Sequence, residues 1–372
     1  MEMWENTRAL HRVGLLWFCN GAGEDRVEGA TTPYHVRRPR LPAQVRVLLG
    51  VALVALIALL PRPFNVFSRP RGASAAPLPA MVCNGHWQLC GRRFNEVVLP
   101  ATHNSMAASE AGYARPSQQH TIRRQLDDGV RMLLIDSHHW ETRADLARVE
   151  AKFSPEQKAR FEESLREPAQ PPGGIYLCHV FCGAGATPLG EAMAAVREFL
   201  ANHPNDVMGL FLEDYVTGNE TAAVFDAAGL TSYIYEHPYG TPWPLLRDMI
   251  AANKRLVVFS EHGGGAPSWY ENGWMNVQDT RYDVTSASDF TCGLNRGTAA
   301  DPLFLLNHWI AKGTPSAEDA ALVNSYDFLL TRARRCEAER GLLPNFIAVN
   351  FYDRGDLFRV VDTLNGIPGS PG

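Results

Sequence analysis

The sequence lacks a positive excess: its 372 residues carry a formal net charge of −5. Without a basic field it has no generic pull toward nucleic acid or anionic lipid. It also lacks the spacing of a zinc site, since no C-x-x-C pair or Cys/His cluster has the usual ligand spacing. Internal repeats are missing too, which sets aside solenoids. Finally, the apolar run Val47–Leu60 falls short of the ~20 residues a bilayer-spanning helix needs. Its length suits a signal h-region of about 7–15 residues behind a basic n-region that holds Arg37, Arg38, Arg40 and Arg46. The A-x-A site Ala73-Ser74-Ala75 lies well beyond the run, across Arg62, Arg69 and Arg71, so an uncleaved anchor is the alternative. On either reading the rest of the chain is extracytoplasmic, secreted or anchored. The expected layout is a tail and n-region over 1–46, the h-region or anchor over 47–60, a Pro/Ala/Arg-rich linker over 61–82 and one large domain over 83–372.

What is present fits that location. The composition, 45% hydrophobic and 20% charged, is that of a globular protein. Of seven cysteines, Cys19 precedes the apolar run and six follow it, an even number suited to an oxidising compartment. Sequence neighbours suggest Cys83–Cys90, Cys178–Cys182 and Cys292–Cys336, although six cysteines can pair in 15 ways.

From residue 83 onward, compact apolar runs alternate with helical spacing. Strands are expected at Glu96–Leu99, Arg131–Asp136, Ile175–His179, Val207–Glu213, Leu256–Glu261 and Phe346–Phe351, each of the kind that suits a buried parallel strand. Helices are expected at Pro188–Leu200, Trp243–Ala252 and Asp356–Leu364. This βα rhythm predicts an α/β fold, an irregular TIM (β/α)8-type barrel, with a doubly wound sheet as the alternative. Glu141–Gly173 and Gly263–Pro302 read as long rim loops.

Several of these strands end in residues of compatible chemistry: His103 and Asn104, Asp136, His179, then Glu213 and Asp214. In a barrel all of them converge on one rim. Two histidines there can serve as general base and general acid toward a phosphodiester, while a cation or arginine offsets charge on the phosphoryl oxygens. Asn104, Asp136 and Glu213 are hard oxygen donors, suited to Ca2+ or Mg2+. His138 and His139 face substrate or lie on the loop; His86, His262 and His308 are read as structural.

In order along the chain, "THNS", "G-x-R-x-x-x-x-D", "x-C-H" and "x-x-L-E-D" resemble the phosphatidylinositol-specific phospholipase C X-domain superfamily, in particular its secreted PLC-like phosphodiesterases. The resemblance covers most of residues 83–366. It implies a phosphoric-diester hydrolase or lyase in which His103 is the base on a neighbouring headgroup hydroxyl and His179 the acid toward the leaving oxygen. A cyclic phosphate is the first product it implies. Asn104, Asp136 and Glu213 match metal-ligand positions of the calcium-dependent branch. Leu134 stands where that branch has a further acid, with Asp214 or a water as the substitute to fill the gap. Asn350, with Asp353 just beyond, stands where metal-independent relatives have an aspartate that orients the first histidine. Arg131, Arg281 and Arg296 are the basic residues available for a headgroup. The expected partners are a phospholipid or inositol-phosphate headgroup and a membrane surface, with no nucleic acid, on a monomer. Two other functions stay open: a glycerophosphodiester phosphodiesterase, whose "H-R-G" start is missing here, and a barrel that binds without catalysis.

Overall fold

The computed structural model describes residues 81–151, 153–164, 173–263 and 267–368. The expected tail, apolar segment and nearly all of the linker lie outside the described residues. In chain order the main elements are β1 (Leu99–Thr102), α1 (Ile122–Asp128), β2 (Met132–His139), α2 (Arg143–Glu150), α3 (Pro155–Ser164), β3 (Ile175–Leu177), β4 (Thr187–Pro188), α4 (Leu189–Asn202), β5 (Met208–Asp214) and α5 (Gly218–Ala228). There follow α6 (Leu246–Ala251), β6 (Leu256–Ser260), β7 (Glu271–Asn272), β8 (Val277–Asp279), β9 (Leu303–His308), α7 (Ala317–Val323), α8 (Tyr326–Arg340), β10 (Phe346–Val349) and α9 (Leu357–Leu364). No helix among the described residues is long and apolar enough to cross a membrane.

Eight strands form one curled parallel sheet in the order β7-β6-β5-β2-β1-β10-β9-β8. This is the expected irregular TIM-type barrel. Its strands alternate between two apolar layers. Leu99, Ala101, Met132, Phe211, Val257, Phe259, Leu303, Leu305, Phe346 and Ala348 pack together inside the curl. Their chain neighbours Leu133, Ile135, Leu210, Leu212, Val258, Phe304, Leu306, Ile347 and Val349 pack outward with helix residues such as Leu126, Val196, Leu329 and Val360. Both faces are buried, which is why these strands read as unbroken apolar runs rather than as alternation. The sheet is tight where β5 lies beside β2: a Cβ on Gly209 would lie 2.5 Å from Met132 Sδ, so any larger residue there would have to displace the Met132 side chain.

The structure departs from expectation in several places. The strand expected at Glu96–Leu99 meets β1 only at Leu99, because Phe94–Glu96 form a 3-10 turn, and the helices α1, α5, α7 and α8 were not expected. Ile175–His179 is not a strand of the parallel set. Only Ile175–Leu177 is extended, and it pairs antiparallel with Ser137–His139, where β2 runs on past the barrel. Glu141–Gly173 holds two helices, α2 and α3, both polar enough to have read as loop. Gly263–Pro302 holds β7 and β8, two and three residues long and too short to carry a periodic signal, and β9 directly after it also went unread. The three disulfides pair as sequence order suggested: Cys83–Cys90, Cys178–Cys182 and Cys292–Cys336.

Candidate active site

Alternation carries the inner face of each strand up to the rim. Counting by twos from the inward-facing Leu99 and Ala101 reaches His103, and from Met132 and Leu134 reaches Asp136. In the same way Phe211 leads to Glu213, Val257 and Phe259 to Glu261, Val277 to Asp279, and Phe346 and Ala348 to Asn350. The apolar interior of the curl thus ends in a polar layer. Leu134 belongs to the packed layer directly beneath Asp136 and supplies no donor. Asp214 faces the other way. Its carboxylate accepts bonds from Ser260 Oγ at 3.0 Å and from the His262 amide at 2.8 Å, so it does not fill the place that Leu134 leaves.

His103 follows β1 and extends its pairing, with its amide donating to Val349 O. Its Nδ1 lies 2.8 Å from Asn350 Oδ1. An amide oxygen only accepts, so Nδ1 carries the hydrogen and Nε2 is left with a free lone pair. The ring stacks on Trp309, centroids 3.8 Å apart and planes 3° from parallel. Burial pushes its pKa down to about 3; the Asn350 bond works against this, and the positive charges of His179 and Arg296 add to it. At neutral pH His103 is therefore an uncharged base. Asn350 occupies the orienting position, and Asp353 instead pairs with Arg354.

His179 arrives from outside the parallel sheet. It follows β3 within the loop closed by Cys178–Cys182, whose next residue, Val180, has φ 68°, a conformation a β-branched side chain rarely takes. Its Nδ1 lies 3.2 Å from Asp136 Oδ2, so it donates to a carboxylate, the partner an imidazolium needs. The rings of His103 and His179 meet nearly edge to face, 77° between planes, with centroids 6.4 Å apart.

Asn104 sits between them at φ 45°, a left-handed turn that Asn tolerates and that takes its side chain out of the strand alternation. With Oδ1 toward the histidines, it accepts from His179 Nδ1 at 3.0 Å while Nδ2 donates to both Asp136 oxygens at 3.3 Å; the same oxygen lies 3.2 Å from His103 Nε2, which bears no hydrogen in the neutral ring and can donate to it only once protonated. The opposite orientation would set amide oxygen against carboxylate, so this one is preferred.

Asp136 and Glu213 are register partners on adjacent strands. Burial, and then the Glu213 charge, hold the Asp136 carboxyl above its usual range, with the His179 contact opposing them. Glu213 accepts from the Tyr215 hydroxyl, and Tyr215 stacks on His138, centroids 4.4 Å apart. His139 instead pairs with Glu220. The row continues to Glu261, whose carboxyl is also held high, by burial first and by Glu213, Asp136 and Asp279, against the pull of Arg296. Arg296 pairs with Glu261 and with Asp279, 2.7 Å from Oδ2, and lies over the rings of Trp274 and Tyr282. Of the other two arginines, Arg131 sits ahead of β2, away from the rim, and pairs with Asp206, while Arg281 pairs with Asp283 on the surface.

Sequence reasoning named Arg296 only as available and missed Glu261, Asp279 and Trp309. Glu261 carried a usable signal, since "LVVFSE" closes an apolar run with an acid as "GLFLE" and "RMLLID" do. Asp279 lay in a stretch read as loop.

The donor set suits a hard cation. Asp136 and Glu213 present carboxylates side by side, with the Asp136 carboxyl held high by burial and then by the Glu213 charge, whereas Asn104 turns its amide nitrogen to Asp136 and would have to swing its oxygen round to join them on a cation. Among the described residues no three His, Cys, Asp or Glu side chains converge as a preformed metal cluster, so the amide of Asn104 is needed to complete the set.

The PI-PLC X-domain family model, "PI-PLC X 1", matches residues 156–365, which takes in His179 and Glu213 but starts after His103. The chain is 24% identical to an uncharacterized secreted protein of Arthroderma benhamiae, over 78% of its own length and 65% of the relative's. It is 26% identical to a PI-PLC X domain-containing protein of Arabidopsis thaliana, over 74% of its length and 63% of that protein's. It thus spans a little under two thirds of each of these two relatives. PI-PLC X domain-containing protein 1 of Arthroderma benhamiae is 23% identical and covered over 90%. Among solved structures, the phosphatidylinositol-specific phospholipase C of Listeria monocytogenes aligns with a TM-score of 0.43 at 14% identity, covering 79% of this chain and 97% of that one.

Proposed function

The chain belongs to the PI-PLC X-domain family, and we propose that it is an exported phosphodiesterase that cleaves a phospholipid or inositol-phosphate headgroup with His103 as general base and His179 as general acid. The observation that carries this reading is the opposite support of two facing imidazoles: a neutral amide at Nδ1 of His103, a carboxylate at Nδ1 of His179. Acid–base catalysis requires a neutral base and a proton donor, and an amide partner suits the first as a carboxylate partner suits the second.

In the proposed reaction, His103 Nε2 takes the proton of a headgroup hydroxyl next to the phosphate. The hydroxyl oxygen bonds to phosphorus, and the bond to the lipid oxygen breaks. His179, as imidazolium, gives that oxygen its Nε2 proton. The products are a cyclic phosphate and an alcohol, and the two histidines have exchanged protonation states. Asp136 holds the charged His179 ring, and Asn350 holds His103 in the tautomer that leaves Nε2 free. A bound Ca2+ or Mg2+ would offset phosphoryl charge, and Asn104, Asp136 and Glu213 are the residues that would hold it. Support for export comes from the three disulfides, which suit an oxidising compartment, and from the secreted relative.

The test is to incubate the exported domain, residues 83–372, with phosphatidylinositol, phosphatidylcholine and glycerophosphoinositol, in Ca2+ or in EDTA, beside His103→Ala and His179→Ala. Cleavage by the wild type alone is expected. Equal activity, or equal inertness, of all three proteins on all three substrates would sink the two-histidine reading. Cleavage confined to glycerophosphoinositol would favour a glycerophosphodiesterase.

A further inference from the structure

His103 is held by a weaker partner than its task calls for. It must carry a positive charge at the moment it takes the proton, yet Asn350 offers Nδ1 an amide dipole rather than the carboxylate that stabilises an imidazolium well. A single hydrogen bond also fixes a point on the ring and leaves its plane free to tilt, because acceptor geometry at a carbonyl oxygen is broad.

Trp309 addresses both shortfalls. Its indole lies flat on the imidazole, 3.8 Å away and 3° from parallel. The bond from Asn350 and the stack from Trp309 together define one ring orientation, with Nε2 directed into the site. Trp309 is itself firmly placed. It is 6% exposed and directly follows β9, whose last residue, His308, is fully buried between a bond to Val323 O at 2.8 Å and the Arg332 guanidinium at 2.7 Å. Asn350 is fixed as well, since its carbonyl accepts from Asn324 Nδ2 at 3.0 Å. Behind the pair lies a cavity of about 10 Å³, lined by Trp309, Asn324 and Asn350. That is room for one water at most.

Resting on the acid–base reading above, we infer that Trp309 is a positioning residue for His103: it fixes the plane of the ring and presents a π face to the charge that develops there during proton transfer. Tryptophan is the aromatic best suited to face a cation, and the contact is strongest where water is excluded. The stack stands in part for the carboxylate that Asn350 is not.

The test compares Trp309→Leu with Trp309→Phe on a diester that the wild type cleaves, with His103→Ala alongside. Trp309→Leu should lower kcat by about 30-fold and leave KM within about twofold, whereas Trp309→Phe, which keeps an aromatic face, should stay within about 5-fold of wild type. Thermal melting checks that each variant is folded. A second readout needs no turnover: the Cε1 proton resonance of His103, moved upfield by the indole ring current, should shift downfield in Trp309→Leu. Wild-type kcat in Trp309→Leu, equal losses in both variants, a loss carried by KM, or an unmoved resonance would each overturn the inference. Inert His103→Ala beside fully active Trp309→Leu would sink this inference alone; active His103→Ala would sink the acid–base reading with it.

Discussion

The two sides of the rim differ in charge. The side built by β1, β9 and β10 surrounds His103 with neutral groups: the Asn350 amide, the Trp309 indole and Gln118, whose Nε2 donates to the His103 carbonyl. The side built by β2, β5 and β6 brings Asp136, Glu213 and Glu261 together and sets His179 against Asp136. Identical side chains are thereby suited to opposite tasks. Burial keeps His103 neutral, whereas His179 has a carboxylate as a hydrogen-bond partner. The difference lies in the neighbours, not in the imidazoles.

The largest break in this contrast is to delete either ring: His103→Ala or His179→Ala should lower kcat by about 10³-fold, read in a turnover assay with the favoured headgroup. Next comes Asp136→Asn, which keeps shape and removes charge from the anionic side. Its expected cost is about 10²-fold in kcat, and an unchanged kcat would mean that Asp136 does not support the acid. Asn350→Asp should erase the contrast from the other direction. A carboxylate at His103 Nδ1 should raise the protonation midpoint of that ring by about one to three units from its low value, which an NMR titration would follow. No movement would show that Asn350 is not its governing partner.

The smallest expected effect is on stability. The His103 pKa is about 3 folded and near the ordinary 6.5 unfolded, so below 6.5 the unfolded chain binds more protons at this site. The contribution of neutral His103 is therefore complete above pH 6.5 and is lost as pH falls toward 3. The raised carboxyls of Asp136 and Glu261 slope the other way, because the folded state keeps their protons. Melting temperatures of His103→Gln and wild type should thus diverge in favour of the variant as pH drops below 6.5. Curves that stay parallel would contradict a depressed His103.

Much of this frame was legible in the sequence. Four of the six expected strands fall in the parallel sheet, because strands buried on both faces leave unbroken apolar runs, while Glu96–Leu99 meets β1 only at Leu99. Of the five expected site residues, His103 and Asn104 adjoin β1, Asp136 and Glu213 sit side by side, and His179 reaches the same place. The rest was not legible for physical reasons. The antiparallel turn-back of β3 depends on a partner, the extension of β2, that its own three residues do not specify. Asp279 and Arg296 lie on a three-residue strand and in a loop, neither long enough to show periodicity. The pairing of His179 with Asp136 joins residues 43 apart, and the stack of Trp309 on His103 joins residues more than 200 apart; neither contact leaves a local trace.

The two-residue alternation that brings these side chains to the rim works like a reading frame. A residue inserted into or deleted from β6 ahead of its end would present Ser260 or His262 where Glu261 stands, and the same slip in β5 would exchange Glu213 for Leu212 or Asp214. The connection Glu141–Gly173, with its two helices, can lengthen without touching this frame, whereas a strand cannot change length without shifting it. Variation among working relatives should therefore be of two kinds, insertions between the strands and substitutions within them.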